Sequence, residues 1–152
     1  MRYAYPCNIV LDEEENAATG RKAYNVTFPD VPEAITCGWS WQGALEMAED
    51  CLEVALGIYV EQDRDIPIPS YAINKQVSIS VRPVVAAKLA LYTAMRKQGM
   101  TKIDLGKKLG ITEAATRKLC NPDYHSHMST IERALKIMDL CLVVEAVETT
   151  GR

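Results

Sequence analysis

The spacing of the apolar residues changes along the first 80 positions, from the alternation of a strand to the period of a helix and back. Residues 3–11 and 24–28 are rich in β-branched and aromatic side chains, and the second stretch alternates apolar with polar as a strand does. Residues 34–38 and 77–81 predict two more short strands. Between these strands, residues 41–62 predict a helix, because small apolar side chains recur there at helical spacing. The predicted buried positions of this helix are Ala44, Ala48, Cys51, Ala55 and Ile58. The first half of the chain therefore predicts a βββαβ order.

The links between these elements are polar or contain proline. Residues 12–23 are charged and predict a long, mobile hairpin loop. Pro29 and Pro32 cannot donate to a β-ladder, so they predict a bend before the third strand. Pro67 and Pro69 cannot continue the helix and place its end before them.

The pattern becomes helical after Pro83. Apolar side chains at helical spacing predict a helix over residues 84–98, which Gly99 ends. Two shorter helices follow over residues 102–109 and 113–120. The first of these opens at Thr101, with Asp104 three residues later in a weaker version of the capping box.

Two further elements are predicted towards the C-terminus. Ser129 and Glu132 have the spacing of a capping box and predict a helix that runs to about residue 140. Residues 140–147 are apolar and β-branched, which predicts a terminal strand. The predicted fold class is α+β. A βββαβ domain occupies residues 1–82, and an all-α domain with a terminal β-strand occupies residues 83–152.

Residues 105–119, LGKKLGITEAATRKL, have the pattern of a helix-turn-helix. Such a pair of helices needs apolar anchors, a small residue where the helices cross and a tight turn. Gly106 supplies the small residue and Gly110 the turn, between leucine and isoleucine anchors. Thr116 stands where an apolar β-branched residue is usual, and we expect its hydroxyl to bond to a carbonyl one turn earlier.

The residues that these anchors leave outward predict contact with DNA. Arg117 can donate two hydrogen bonds to a guanine in the major groove, and Thr112 can hold a phosphate or a base edge. Lys107 and Lys108 lie on the preceding helix, where backbone phosphates would run. The full candidate set is Thr101, Lys102, Lys107, Lys108, Thr112, Glu113, Ala114, Arg117, Lys118 and His127. A helical module that docks a protein is the alternative.

The two halves of the chain carry net charges of opposite sign, which the total of −3 does not show. Residues 1–80 hold five Lys or Arg against thirteen Asp or Glu, a net −8. Residues 81–152 hold twelve against seven, a net +5, and residues 81–136 alone hold eleven against four, a net +7. This asymmetry predicts a basic partner for the first half and a polyanion for the second.

The amino-acid composition narrows the kinds of protein that this chain can be. Hydrophobic content of 48% and charged content of 24% are those of a soluble globular protein. We expect no membrane segment, because no apolar run reaches the length of a spanning helix, and no secretory signal, because the N-terminus turns acidic early. The five cysteines have neither zinc nor disulfide spacing, so we expect reduced, mostly buried thiols in the cytoplasm.

Catalysis and metal binding receive little support from the sequence. His125 and His127 lack a third metal ligand. Asp12 and Asp30 lie near strand ends, where metal-dependent nucleases place paired carboxylates, but no histidine or lysine nearby completes the set. No phosphate loop or nucleophile motif is present. We predict no catalytic residue, no metal and no cofactor.

Trp39 and Trp41 flank the predicted start of the long helix. Because they alternate around Ser40, we expect one to pack inward and the other to face out. An exposed tryptophan at this position would be a good anchor for a partner protein.

Two runs of this sequence resemble the signature of the HicB antitoxins. They are FPDVPEAITCG, residues 28–38, and IPIPS, residues 66–70, with Ala44 and Ala48 on the helix between them. The resemblance continues through VSISVRPVVAAKLALYTAM, residues 77–95, and the helix-turn-helix, so it covers nearly the whole chain.

The resemblance implies a function for each half. The N-terminal domain would have a partial ribonuclease H-like fold without the catalytic carboxylates. It would bind a HicA-type toxin, a small basic protein that cleaves mRNA, and cover its active site. The C-terminal domain would form a homodimer or higher oligomer and bind the operator of its own operon. Some members use a ribbon-helix-helix there, whereas this chain matches the helix-turn-helix branch. Candidate toxin-binding residues are Asp30, Glu33, Trp39, Trp41, Glu49 and Glu53.

The expected function is that of an antitoxin and autorepressor without catalytic activity. Two other classes remain open at this stage. One is a stand-alone transcriptional repressor whose N-terminal domain senses a small ligand. The other is a nuclease that uses Asp12 and Asp30.

Overall fold

The computed structural model describes residues 2–146 of the chain. The fold class is α+β, with a sheet of four antiparallel strands and six helices among these residues. The strands are β1 Ala4–Leu11, β2 Tyr24–Thr27, β3 Ile35–Gly38 and β4 Val77–Ser80. The helices are α1 Glu13–Thr19, α2 Trp41–Glu61, α3 Pro83–Gln98, α4 Lys102–Leu109, α5 Glu113–Cys120 and α6 Met128–Ile137.

The described chain divides into two compact units. The sheet unit consists of Arg2–Leu56 and Pro67–Val81, and the helical unit consists of Gly57–Ile66 with residues 82–146. The helical unit therefore includes the end of α2 and the residues that follow it. A single boundary at residue 82 would leave these residues with the sheet.

The sheet has the strand order β3-β2-β1-β4, so β3 and β4 are its edges. β1 is long enough to pair with two strands. Its first half pairs with β4, where Tyr5 is opposite Ile79, and its second half pairs with β2, where Ile9 is opposite Val26. Val26 is in turn opposite Thr36 of β3.

The two faces of the sheet differ in burial. Successive side chains of a strand point to opposite faces, so Tyr5, Cys7 and Val26 share one face, and all three are fully buried. Val10 and Ile35 lie on the opposite face and are exposed. The sheet unit therefore has one open face with apolar side chains on it.

α2 buries a different stripe from the one that the sequence predicts. Ala44, Ala48 and Ala55 are buried as predicted, but Leu52 and Leu56 are also fully buried. The buried stripe is centred on these leucines. Around the helix axis it lies about 100° from the predicted stripe, which is the angle between two successive residues. Ile58, predicted to face inward, is therefore 41% exposed.

α1 forms where the sequence predicts a mobile loop. The Asp12 carboxylate caps this helix by accepting the N–H of Glu15 at 3.0 Å, and it also accepts the Asn25 amide at 3.1 Å. These hydrogen bonds lower the pKa of Asp12. The three glutamates of the first turn suit the positive end of the helix dipole, and Gly20 ends the helix with a φ of 70°.

Buried side chains from α3, α4, α5 and α6 form the core of the helical unit. Leu91, Leu105, Leu119, Ile131 and Leu135 are among them, each at most 3% exposed. Gly99 ends α3 in the left-handed conformation, as predicted.

α6 begins two residues earlier than the predicted capping box allows. His127 is its N-cap residue, and the His127 side chain makes no capping hydrogen bond. The predicted box of Ser129 and Glu132 is wrong, because Ser129 already lies within the helix and Glu132 pairs with Lys136 at 2.7 Å. The helix ends at Ile137, before the predicted end near residue 140.

Residues 140–146 form no strand, so the predicted terminal β-strand is absent from the part of the chain that the structure describes. The last residue of that prediction, at position 147, lies outside the described residues. A strand needs a hydrogen-bonded neighbour, and residues 82–146 of the helical unit contain none. Val143 and Val144 are consequently 81% and 70% exposed. None of the helices within residues 2–146 combines the length and apolar character needed to cross a membrane.

Candidate functional site

α4 and α5 of the helical unit meet at a tight turn. α4 opens with the predicted capping box: Thr101 Oγ1 accepts the Asp104 N–H at 3.1 Å, and the Asp104 carboxylate accepts the Thr101 N–H at 3.4 Å. Hydrogen bonds from Thr101 hold the pKa of Asp104 below its ordinary value. Gly110, at a φ of 70°, ends α4, and Thr112 caps α5 by accepting the Ala115 N–H at 3.1 Å.

Gly106 and Thr116 lie against each other where the two helices cross. A Cβ on Gly106 would be 2.7 Å from Thr116 Oγ1 and 3.1 Å from the Ile111 carbonyl oxygen, so only glycine fits without a shift. Thr116 is fully buried, and its hydroxyl donates to the Thr112 carbonyl at 3.0 Å. This is the back-bond that the sequence predicts, and it satisfies the hydroxyl inside the core.

α5 exposes the polar face that the sequence predicts. Arg117 and Glu113 lie one turn apart on it and form an ion pair with an N–O distance of 2.5 Å. Both side chains remain largely accessible, so the guanidinium keeps further donors for an outside partner. The exposed candidates on this helix and its cap are Thr112, Glu113, Ala114, Arg117 and Lys118.

A groove of about 560 Å³ gathers four of the candidate residues. Thr101 and Lys102 at the start of α4 line it together with Glu113 and Arg117 of α5. Arg96 of α3 also lines it, and its guanidinium donates to the Asp65 carboxylate at 2.8 Å, which raises the pKa of Arg96.

The other candidates lie elsewhere on the unit. Lys107 and Lys108 are exposed in the last turn of α4. Lys118 lies at the end of α5, with its ammonium 5.7 Å from the centre of the Tyr124 ring. His127 is exposed, and its ring meets that of His125 edge to face at 5.6 Å. Lys118 and His127 therefore lie at the two ends of the loop between α5 and α6.

Lys88 of α3 was missed as a functional candidate. Its side chain is fully buried, although it belongs to the eleven basic residues of the positive segment. Its position was a usable signal, because Lys88 falls at helical spacing between the apolar residues Val85 and Tyr92. A lysine on such a stripe indicates a buried ammonium that needs acceptors.

Both tryptophans of the sheet unit are accessible, which corrects the expectation that one packs inward. Trp39 is 62% exposed and Trp41 is 38% exposed. Trp41 meets the Tyr24 ring edge to face at 6.0 Å. Trp39 follows β3, whose first residue, Ile35, is 67% exposed at the edge of the sheet.

The acidic candidates of the sheet unit differ in accessibility. Glu33 is exposed and Glu49 half-buried. Glu53 is only 6% exposed, although it is one of the candidate toxin-binding residues. It lies on α2 three residues before Leu56 and seven before Val60, so it shares the side of the helix that these buried residues occupy. Glu53 is therefore not part of an accessible surface.

Asp30 has a structural partner in the segment that links α2 to β4. Its Oδ2 atom accepts the N–H of Ser70 at 2.8 Å and the Ser70 hydroxyl at 3.0 Å. The same segment exposes Ile68, Tyr71 and Ile73, at 80%, 95% and 64%. The sequence predicts only a link between α2 and β4 here and no role for these three side chains.

The carboxylates that a nuclease would require accept hydrogen bonds from other parts of the fold. Asp12 caps α1 and Asp30 holds Ser70, as described above. Within residues 2–146, no group of three or more His, Cys, Asp or Glu side chains has the arrangement of a metal site.

Comparison with known proteins connects this geometry to a family. The model of the HicB-like antitoxins of bacterial toxin-antitoxin systems matches residues 4–90. Antitoxin HicB 2 of Photorhabdus laumondii subsp. laumondii is 31% identical over 143 residues, which cover 94% of this chain and 96% of that protein. Antitoxin HicB of Escherichia coli strain K12 is 31% identical over 123 residues, or 80% of this chain and 89% of that protein. The chain therefore belongs to the HicB family of antitoxins of bacterial toxin-antitoxin systems.

Proposed function

We propose that this antitoxin neutralises a small basic HicA-type toxin through its sheet unit and represses its own operon through its helical unit. The observation that carries the proposal is the opposite charge of the two units. The described sheet unit holds four Lys or Arg against ten Asp or Glu, a net −6. The described helical unit holds twelve against nine, a net +3, and residues 82–136 within it hold eleven against four.

For the DNA-binding half, the proposal is that α4 and α5 act as a helix-turn-helix with α5 in the major groove. Its support is the capped turn, the close crossing at Gly106 and the polar outer face of α5. Arg117 and Glu113 would face base edges, since an arginine reads guanine and a carboxylate accepts from cytosine. The exposed cations of α4 and the loop before α6 would lie along the phosphates.

For the toxin-binding half, the proposal is that the acidic sheet unit attracts the basic toxin and an apolar surface then holds it. Complementary potentials speed the encounter of two proteins and disfavour wrong partners. Trp39, Trp41 and Ile35 are exposed apolar side chains near the β3 edge, and aromatic anchors of this kind dominate many interfaces. Glu33 and Glu49 would contribute at the rim, whereas Asp30 would act by holding Ser70. The partial ribonuclease H-like fold remains part of this proposal.

The third part of the proposal is a homodimer or higher oligomer formed by residues 140–147. A palindromic operator requires a twofold protein, and the exposed valines at 143 and 144 need a partner surface. Pairing of this segment with its copy would give it the hydrogen-bonded neighbour that its described residues, 140–146, lack in the single chain.

The proposal places the protein in the bacterial cytoplasm, because mRNA and the operator are found there. The role needs binding alone and no catalytic step.

Co-expression with the neighbouring reading frame tests the toxin half. If that frame encodes a small basic protein that stops growth, this chain should restore growth and co-purify with it. Toxicity that persists despite a folded, co-expressed antitoxin would contradict the proposal. A chain that binds the promoter of the operon but no neighbouring product would instead be a stand-alone repressor.

A further inference from the structure

Lys88 makes an unusual set of contacts for a lysine. Its side chain is fully buried, and its ammonium donates to the carbonyl oxygens of Lys118 at 3.0 Å, Asn121 at 2.8 Å and Tyr124. An ammonium has three N–H groups, so three carbonyl acceptors satisfy it completely. Burial lowers the pKa of Lys88, and the nearby Asp123 carboxylate opposes that shift.

The three carbonyls belong to two pieces of the chain. Lys118 lies in the last turn of α5 and Asn121 is its C-cap residue, where helix carbonyls have no partner within the helix. Tyr124 lies beyond them, in the loop that leads to α6. A cation at this position both stabilises the negative end of the α5 dipole and ties the loop to it.

Local hydrogen bonds complete this junction. The Asn121 side chain accepts the N–H of Asp123 at 2.9 Å, and the Asn121 carbonyl accepts the N–H of Tyr124 at 3.3 Å. The Lys118 ammonium lies 5.7 Å from the centre of the Tyr124 ring, and the rings of His125 and His127 meet edge to face at 5.6 Å. The end of α5 and residues 121–127 thus present their polar side chains from one fixed backbone.

We infer that Lys88 is a positioning residue for DNA recognition, which holds the end of α5 and residues 121–127 together so that Lys118 and His127 contact the same stretch of DNA backbone. This inference rests on the proposed operator binding. Lys88 itself is buried and touches no DNA. It acts through the three carbonyls that it holds.

An apolar side chain of similar length would fill the same space but would remove the donor of the Lys118 and Tyr124 carbonyls and leave the Asn121 carbonyl with the Tyr124 N–H alone. Such groups must find water or move, and buried polar groups are costly to leave unpaired. The position of Lys118 relative to the loop would then no longer be fixed, even where the rest of the helical core persists.

The test compares Lys88→Met with Lys97→Met in the full-length chain. Lys97 lies in the last turn of the same helix and is exposed, so its replacement removes an equal charge without touching the junction. Affinity for the operator duplex and for an unrelated duplex of the same length is measured over a range of salt concentrations. We expect Lys88→Met to weaken operator binding about tenfold, the size of a lost specific contact, and Lys97→Met to change it little.

A second substitution separates positioning from general destabilisation. In the wild-type background Lys118→Ala should weaken binding several-fold, whereas in the Lys88→Met background its additional effect should nearly disappear. An equal effect of Lys118→Ala in both backgrounds would overturn the inference. Failure of the wild-type chain to bind its operator at all would instead defeat the proposed function.

A measurement on the wild-type protein covers the case in which Lys88→Met does not fold. Operator DNA should slow amide hydrogen exchange in residues 121–127 together with residues 113–120. Protection of α5 without protection of the loop would show that the two do not form one surface, and it would overturn the inference.

Discussion

The Asp30 carboxylate accepts two hydrogen bonds from Ser70, which lies 40 positions further along the chain. One carboxylate oxygen accepts both the backbone N–H and the hydroxyl of Ser70, at 2.8 and 3.0 Å. The two residues belong to the runs FPDVPEAITCG and IPIPS, which carry the resemblance to the family. These two runs are therefore joined physically, and the acidic residue that the sequence suggests as a toxin contact holds the link between α2 and β4.

Replacement of Asp30 by alanine should lower the free energy of unfolding by about 1 kcal/mol, because it removes two hydrogen bonds to Ser70 at an exposed site where water can replace the lost acceptor. Urea denaturation measures the change. Asp50→Ala is the matched control, since Asp50 is an exposed carboxylate on α2 and its loss should change stability little. Equal stabilities of the two variants would show that the Asp30–Ser70 hydrogen bonds contribute nothing net.

Replacement of Gly106 by alanine should destabilise the helical unit by about 1–3 kcal/mol through steric overlap with Thr116. Removal of the opposing hydroxyl in the double variant Gly106→Ala, Thr116→Ala should recover part of that loss. Thermal unfolding of the two single variants and the double variant gives the coupling between the positions. Strictly additive effects would mean that the helices do not meet at this pair.

Alkaline pH should destabilise the protein through its buried thiols. Burial raises the pKa of Cys7 to about 12 and that of Cys120 to about 11, from the ordinary thiol value of 9.0. The folded thiols keep their protons while the unfolded ones lose theirs, so this stability is complete below pH 9 and declines as pH rises towards 11 and 12. Lys88, whose pKa is lowered by burial, acts in the opposite direction as pH approaches its ordinary value of 10.5.

The thiol contribution is isolated by comparing variants under reducing conditions. Cys7→Ala should flatten the decline of the free energy of unfolding as pH rises from 9 towards 12, whereas the exposed Cys37→Ala should leave its slope unchanged. Identical slopes for both variants would assign the decline to other groups.

Two basic residues should affect DNA binding in different ways. Arg117→Ala should weaken operator binding by roughly 1–3 kcal/mol and relax specificity at one base pair, because Arg117 faces outward from α5. Lys108→Ala should weaken binding to all sequences alike and flatten its salt dependence. Fluorescence anisotropy with operator and unrelated duplexes separates the two effects. Unchanged operator binding by Arg117→Ala would refute the placement of α5 in the groove.

Deletion of residues 140–147 should shift the protein towards monomer in analytical ultracentrifugation. The reason is that Val143 and Val144, which are exposed in the single chain, are proposed to pair with a second copy. A variant with Val143 and Val144 changed to Lys keeps the length of the segment and should shift in the same direction. An unchanged dimer in both variants would locate the interface elsewhere.

Features set by neighbouring residues were predictable from the sequence. The cap at Thr101, the turn at Gly110 and the back-bond of Thr116 each involve partners within one turn of helix, and all three are present. The bounds of α5 also agree with the prediction, because Thr112 opens the helix and Asn121-Pro122 follows it.

Features set by distant residues were not predictable in the same way. Glu53 is buried because of which side of α2 packs inward, which spacing alone does not define, and both tryptophans are accessible. α1 depends on Asp12 bonding to Asn25 of another strand, and residues 140–146 lack a strand because a ladder needs a second strand. The acceptors of Lys88 lie 30 to 36 positions away from it.

The burial of Lys88 also changes how a salt titration with DNA should be interpreted. An ammonium enclosed by three carbonyls cannot reach a phosphate, so it displaces no counterion from the DNA when a duplex binds. The slope of affinity against salt therefore reports only the cations at the surface. The basic residues of the sequence between positions 82 and 136 include one more, the buried Lys88.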